Sequence, residues 1–162
     1  MNWEAISAVS SMVSSVAVVV SLIYLAQQIR QANKLSQSQT RVDLRHMANE
    51  EVSRLVEYPE IWLLTWKETL TMEEKSRLYG FLVGALRFRE FIWRQYRMEL
   101  LDQRTFETYI RVVVQILSSE RTRGWWDTYK TTNTFDPDFV VFVEKLLADN
   151  PRVDLKQIIE SL

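Results

Sequence analysis

The feature that most constrains this chain is a long stretch near its start that has no charged side chain. No Asp, Glu, Lys or Arg occurs from Ala5 to Ile29. A bilayer core about 30 Å thick is crossed by roughly 20 helical residues, so this stretch is long enough to span a membrane. Trp3 precedes it and Tyr24 lies near its far end, where interfacial aromatic residues are expected. The sequence therefore predicts a transmembrane helix over residues 1–29.

Charges on either side of this stretch indicate its orientation. Arg30 and Lys34 follow it, whereas Glu4 is the charged side chain that precedes it. Because basic residues favour the cytoplasmic side, we expect a single pass with the N-terminus outside and the rest of the chain in the cytoplasm. A cleaved signal peptide is one alternative, but the basic start and the short apolar core of such a peptide are missing. A buried core helix is the other, although so small a domain would hardly cover this stretch on every side.

Serines distinguish one side of the predicted span from the other. The serines of this stretch are Ser7, Ser10, Ser11, Ser14, Ser15 and Ser21. At about 100° per residue they fall within an arc of roughly 140°. The opposite side carries Ile6, Val9, Val13, Val16, Val20 and Ile23. Small residues allow helices to approach closely in a membrane, so we expect the serine face to meet copies of itself in a homo-oligomer.

Two hypotheses explain a serine face on a single span. In the first, the serines are spacers in a closely packed helix pair. In the second, several helices form a ring in which the serines line water. Val18, Leu22 and Leu25 are the bulky residues within the serine arc, and they would form an apolar constriction in the cytoplasmic half. The candidate pore-lining residues are Ser7, Ser10, Ser11, Ser14, Val18, Ser21 and Leu25. The two hypotheses remain level on the sequence.

The rest of the chain has the pattern of helices separated by turn signals. No Gly or Pro occurs from Ala26 to Glu57, so the spanning helix either continues or restarts near "SQSQT". This segment, residues 30–58, is expected to be a juxtamembrane helix or linker. After Pro59, amphipathic periodicity predicts an all-α cytoplasmic domain over residues 59–162, because no segment alternates in polarity long enough for a strand.

Capping signals predict where individual helices begin. The candidate caps are Thr71 with Glu74, Asp102, and Asp136 followed by Pro137. The first of these opens a helix expected to reach about Leu101, after a short helix over "EIWLLTWKETL". Asp102 opens a helix through "FETYIRVVVQIL", and "ERTRGWWDTYK" predicts another short one. Gly80 and Gly84 have the GxxxG spacing, and we expect them to allow close helix packing in the bundle.

Residue types that carry catalysis or bind metals are scarce. The chain has no Cys, three Gly and one His, His46, which no nucleophile or carboxylate constellation accompanies. Glu73 and Glu74 are adjacent and point about 100° apart on a helix, which suits a helix start better than an acid and base pair. Three glycines do not supply a phosphate-binding loop. We therefore expect no enzymatic activity, no metal site and no cofactor.

Arginine outnumbers lysine, fourteen to six, although the formal net charge is only -1. Guanidinium groups fork onto carboxylates or phosphates. The candidate ligand-binding residues are Arg87, Arg94, Arg97, Arg121 and Arg123. The first three alternate with Phe88, Trp93 and Tyr96. One hypothesis is a nucleotide or oligonucleotide site, in which bases stack on the aromatic rings. In the other, which the spacing alone favours, the aromatics form the core and the arginines pair with acids or with neighbouring subunits.

Five segments occur in order along the chain: "SLIYLAQQIRQ", "RFREFIWRQYR", "LLDQRTFE", "RGWWD" and "DPDFVVFVEKLL". Over nearly its whole length the chain resembles a widespread set of small bacterial proteins of unassigned function, with one span and a helical cytoplasmic domain. In outline it is also similar to the small membrane effector of Hailong-type anti-phage systems, in which a nucleotidyltransferase makes an oligonucleotide signal that controls a membrane channel.

These resemblances imply a bacterial inner-membrane protein, and the second one implies an anti-phage ion channel that a nucleotide or oligonucleotide signal gates through the cytoplasmic domain. The alternative function is a non-conducting anchor or scaffold whose helical domain docks a cytoplasmic protein partner.

Overall fold

The computed structural model describes residues 3–150 and 155–161. These residues form α-helices joined by turns, and none of them lies in a strand, so the all-α prediction is confirmed. The helices are α1 (Trp3–Glu57), α2 (Glu60–Leu63), α3 (Met72–Arg97), α4 (Gln103–Ile110), α5 (Val112–Ile116), α6 (Glu120–Tyr129), α7 (Pro137–Asp149) and α8 (Leu155–Glu160).

The first helix, α1, has no break at "SQSQT". The predicted spanning helix therefore continues through this segment and does not restart after it. The helix ends at Glu57, two residues before Pro59, whose ring cannot enter a helix interior without removing a backbone hydrogen bond.

The chain divides into two compact units, Met1–Gln39 and Thr40–Leu162. The second unit includes the last part of α1 because Thr40 is buried and Leu44 is only 2% exposed within it. The helical unit therefore begins earlier in the chain than residue 59, the start expected from the position of the proline.

The second unit is built around α3, which packs against α2, α4 and α5. Its buried apolar residues recur at helical spacing: Leu78, Leu82, Ala85, Leu86, Ile92 and Trp93. They join side chains from the later helices that are completely or almost completely buried: Ile110, Val113, Leu117, Trp126, Phe139 and Val143. Each large apolar side chain buried in this way contributes about 1.5–3 kcal/mol, so the core accounts for the position of every helix from α3 to α7.

The predicted helix starts are confirmed. Thr71 and Glu74 form a reciprocal capping box at the start of α3. Asp102 accepts a hydrogen bond from the Thr105 backbone N–H at 2.9 Å, and Asp136 accepts one from the Asp138 backbone N–H at 2.9 Å. Each cap satisfies a backbone donor that the first turn of a helix leaves without a partner.

Three helix ends differ from the prediction. The helix that begins after Asp102 ends at Ile110 and α5 follows it from Val112, whereas one helix was expected through "FETYIRVVVQIL". α2 stops at Leu63 instead of running through "EIWLLTWKETL", and α3 stops at Arg97 instead of about Leu101. Beyond α2, the Arg121 guanidinium donates to the carbonyls of Leu64 and Glu68, which a longer helix would use itself. Beyond α3, Glu99 has a φ of 60°, a left-handed conformation that ends a right-handed helix.

The expected role of Gly80 and Gly84 in close helix packing is wrong. A Cβ built on either glycine meets no atom within 4 Å. Both glycines line an open groove of about 590 Å³ between the last turns of α1 and the first half of α3. The absence of side chains at Gly80 and Gly84 therefore leaves open space in the second unit and does not bring two helices together.

Candidate functional site

Among the described residues, α1 is the helix that is long and apolar enough to cross a membrane. Every side chain from Ser11 to Ser36 is exposed in the unit Met1–Gln39, and large apolar groups such as Val18, Ile23 and Leu25 are among them. An apolar surface of this extent needs a covering other than water. Up to Ile29 this surface is uncharged, and its length suits a lipid bilayer.

Two serine hydroxyls of α1 bond to carbonyls of their own helix. Ser15 Oγ donates to the Ser11 carbonyl at 2.8 Å, and Ser21 Oγ donates to the Ala17 carbonyl at 2.8 Å. In this arrangement the hydroxyl proton needs neither water nor a second helix. Lipid, a neighbouring helix and water are thus all acceptable surroundings for these serines.

The other predicted pore-lining residues are also on the surface of α1. Ser7, Ser11, Ser14, Val18 and Leu25 are exposed. The side chain of Ser10 lies outside the described residues. Because the serines and the two apolar residues lie on one helix at the spacing read from the sequence, the structure keeps them on one face.

Three of the predicted ligand-binding arginines lie on α3, and each is paired with a carboxylate. Arg87 contacts Glu90 at 2.8 Å and Arg94 contacts the same carboxylate at 3.1 Å. Arg97 contacts Asp138 at 2.9 Å, at the start of α7. The charges of this arginine stripe are therefore largely neutralised within the protein.

Glu90 is the centre of this cluster. Its side chain is 4% exposed, and it also accepts a hydrogen bond from the Asp136 backbone N–H at 2.9 Å. Arg94 reaches Asp136 Oδ2 at 3.3 Å as well. The cluster thus links the second half of α3 to the N-cap of α7 and stabilises the packing of these two helices.

The aromatic residues between these arginines belong to the core. Phe88 and Trp93 are buried, and the Tyr96 ring stacks on the Phe106 ring with centroids 4.1 Å apart. The Arg97 guanidinium lies over the Trp93 ring at 4.9 Å. This arrangement agrees with the second hypothesis for the arginine stripe, in which aromatic rings pack in the core and arginines pair with acids.

Arg121 and Arg123 are in a different place, on α6. Arg121 contacts the carbonyls before α3, whereas Arg94 and Arg97 lie in the last turn of α3. Arg121 lies beside Leu78 in the first part of α3, and a helix rises by about 28 Å from Leu78 to Arg97 at about 1.5 Å per residue. Arg123 is partly buried, and its Nε atom has no hydrogen-bond partner. The five arginines therefore do not form a single site.

One buried ion pair has no local signal in the sequence. Arg89 is 3% exposed and contacts Glu51 of α1 at 2.5 Å, while its guanidinium lies over the Phe88 ring at 4.8 Å. The partners are separated by 38 residues, so no helical spacing relates them. By contrast, the spacing of Arg87, Glu90 and Arg94 on one helix is visible in the sequence.

The residues weighed for catalysis are exposed or act as caps. His46 lies 3.5 Å from Glu50 on the surface of α1. Glu74 belongs to the capping box, and hydrogen bonds from Lys67 and from the Thr71 backbone lower the pKa of its carboxyl. The described residues contain no cluster of His, Asp and Glu that could hold a metal ion.

No family model, no curated protein and no solved structure matches this chain.

Proposed function

We propose that the protein is a homo-oligomeric, single-span membrane protein whose serine face lines a small pore. The observation that carries this proposal is the two-sided, uncharged span of α1, whose side chains are exposed from Ser11 onwards. The described residues contain no second helix that could span beside it and cover a polar face, so copies of the same helix are its natural partners. The flanking charges favour an orientation with the helical unit in the cytoplasm. The resemblance to small bacterial single-span proteins suggests that the membrane is a bacterial inner membrane.

The position of the bulky residues supports a pore that can close. Ser7, Ser11 and Ser14 face the same side in the outer half, and Val18 and Leu25 follow on that side in the inner half. In a ring of helices, polar residues would hold water in the outer half and apolar residues would expel it from the inner half. The helical unit is then the part that would change the width of the constriction.

The signal that opens such a pore is proposed from the layout of the chain. A membrane effector of the Hailong type, which this chain resembles in outline, would respond to a nucleotide or oligonucleotide in the cytoplasm. Because the sequence predicts no catalytic constellation, the proposed role is that of a receiver of this signal. Anti-phage defence is the role that this combination suggests.

A non-conducting anchor is the second candidate, and a specific observation favours it. The hydroxyls of Ser15 and Ser21 are satisfied by the Ser11 and Ala17 carbonyls, so these two serines require no water. In this case the serines are spacers in a helix pair, and the helical unit docks a cytoplasmic protein.

Conductance across planar bilayers separates the two candidates. In the pore, Val18→Ser wets the constriction and increases the ion current. Val20→Ser is the matched control, because the same exchange lies about 160° away on the apolar side. In the anchor, the two variants differ little and neither conducts.

A blocking variant gives an independent result. Ser14→Leu is expected to abolish the current without preventing insertion, since leucine is favourable in lipid. If no current appears in the wild type, in Val18→Ser or in Leu25→Ser, with or without nucleotide, the pore is excluded. Topology is tested separately: a reporter fused after Leu162 that is active only in the periplasm would contradict the proposed orientation.

A further inference from the structure

We propose that a cleft between α6, the start of α3 and the segment before α3 binds a small anion that carries a planar aromatic ring. The cleft has a volume of about 520 Å³. Pockets for small ligands and cofactors commonly measure roughly 300–1,000 Å³. Its walls include Leu70, Leu78, Lys75, Tyr79, Arg121 and Trp125.

Two cations line this cleft without a carboxylate partner. Arg121 donates to the carbonyls of Leu64 and Glu68, the second at 3.1 Å, so neutral groups hold its guanidinium in place and leave its charge uncancelled. Lys75 forms no ion pair with any described residue. Glu68 is the carboxylate among the lining residues, so the lining has an excess of positive charge. An anionic group is the ligand feature that this charge selects.

Aromatic rings form a second wall. Trp125 stacks on Tyr129 with ring centroids 4.9 Å apart, and Tyr79 meets Trp125 edge to face at 6.4 Å. The Trp125 Nε1 atom makes no hydrogen bond, so ring stacking and packing alone hold this indole. Tyr79 is exposed, which leaves its ring accessible from the cleft. A planar ring packs favourably against such a surface.

The charges distinguish this cleft from the arginine stripe of α3. There, Arg87, Arg94 and Arg97 are each paired with a carboxylate. An anion would have to displace those partners, whereas in the cleft it meets Lys75 and Arg121 directly. Binding here does not depend on ion conduction by the span.

Isothermal titration calorimetry of the full chain in detergent micelles tests the cleft. The probes are benzoate and adenosine monophosphate, and their uncharged counterparts are benzamide and adenosine. At least one anion is expected to bind about tenfold more tightly than its counterpart, because only the anion can accept charge-assisted hydrogen bonds from Lys75 and Arg121. Binding of benzoate alone points to carboxylates as the natural ligands, and binding of adenosine monophosphate alone points to nucleotides.

Two lysine variants locate the binding. Lys75→Gln is expected to weaken binding of the anion about tenfold, with the helical circular dichroism unchanged. Lys145→Gln is the matched control, since Lys145 is an exposed lysine of α7 that does not line the cleft. Three results would overturn the proposal: neither anion binds at millimolar concentration, an uncharged counterpart binds as tightly, or the two lysine variants bind alike.

Discussion

Replacing Glu90 with Ala is expected to loosen α7 from α3. One oxygen of Glu90 accepts hydrogen bonds from the Asp136 backbone N–H at 2.9 Å and from Arg94 at 3.1 Å, and the other accepts one from Arg87 at 2.8 Å. The two arginines are about half exposed, and when the carboxylate is lost Arg87 returns to water and Arg94 keeps Asp136 as a partner, so their contribution to stability is small. The main loss of stability therefore comes from the hydrogen bond of the Asp136 N–H and from the buried contacts of the Glu90 side chain.

From these contacts we expect Glu90→Ala to lower the free energy of unfolding by about 2–4 kcal/mol. Glu90→Gln keeps an oxygen that can accept from the Asp136 N–H, so it should cost about half as much. Each kcal/mol corresponds to a fall in Tm of about 4 °C for a unit of this size.

Urea unfolding of the full chain in micelles, followed by circular dichroism, measures these differences, and hydrogen exchange shows whether the amides of α7 lose protection. Glu73→Ala is the control, because Glu73 is an exposed partner of Arg77 on the same helix and should cost at most about 1 kcal/mol. If Glu90→Ala lowers the free energy of unfolding no more than Glu73→Ala does, or if the amides of α7 keep their protection from hydrogen exchange, Glu90 does not hold α3 and α7 together.

Two further predictions concern the stability of the same unit. Gly80→Ala and Gly84→Ala should each raise the free energy of unfolding by about 0.5–1 kcal/mol in urea titrations, because alanine favours the helix and its Cβ meets no atom within 4 Å; a loss of stability would contradict the open groove. The pKa of Asp102 is lowered, chiefly by the Thr105 backbone N–H, so its contribution is complete above about pH 4 and is lost as the pH falls through the lower folded value. Asp102→Asn keeps a cap that does not titrate, and Tm measured from about pH 5 to about pH 2 should fall less steeply than in the wild type.

The helix starts could be predicted because a cap acts within one turn of its own helix. Thr71, Asp102 and Asp136 each accept from a backbone N–H two or three residues later, so the sequence contains both partners of the bond. The helix ends could not be predicted in this way. α2 ends early, and just beyond its end the Leu64 carbonyl accepts a hydrogen bond from Arg121. In a longer helix this carbonyl would accept from the backbone, and Arg121 lies 57 residues away in the chain.

The same distinction applies to the candidate sites. The serine face and the stripe of Arg87, Arg94 and Arg97 are properties of single helices, and both were predicted from the sequence. The role of Glu90 as the shared partner of Arg87 and Arg94 was not predicted. The cleft at Lys75 and Arg121 combines two helices and the segment before α3, and its partners are set by tertiary packing. The open space at Gly80 is likewise a property of the neighbouring helix, since the GxxxG spacing alone is also compatible with close packing.

If the span conducts, its serine chemistry predicts that cations pass more easily than anions. The hydroxyl proton of Ser21, one of the proposed pore-lining residues, is already donated to the Ala17 carbonyl, so an oxygen lone pair is what this side chain offers to an ion. Arg30 and Lys34 would oppose cations at the inner end, but at about 100° per residue both lie on the side of α1 opposite to the serines. The reversal potential under a potassium chloride gradient measures the preference. Selectivity for chloride would mean that the serine face does not line the conducting path, even if a current is observed.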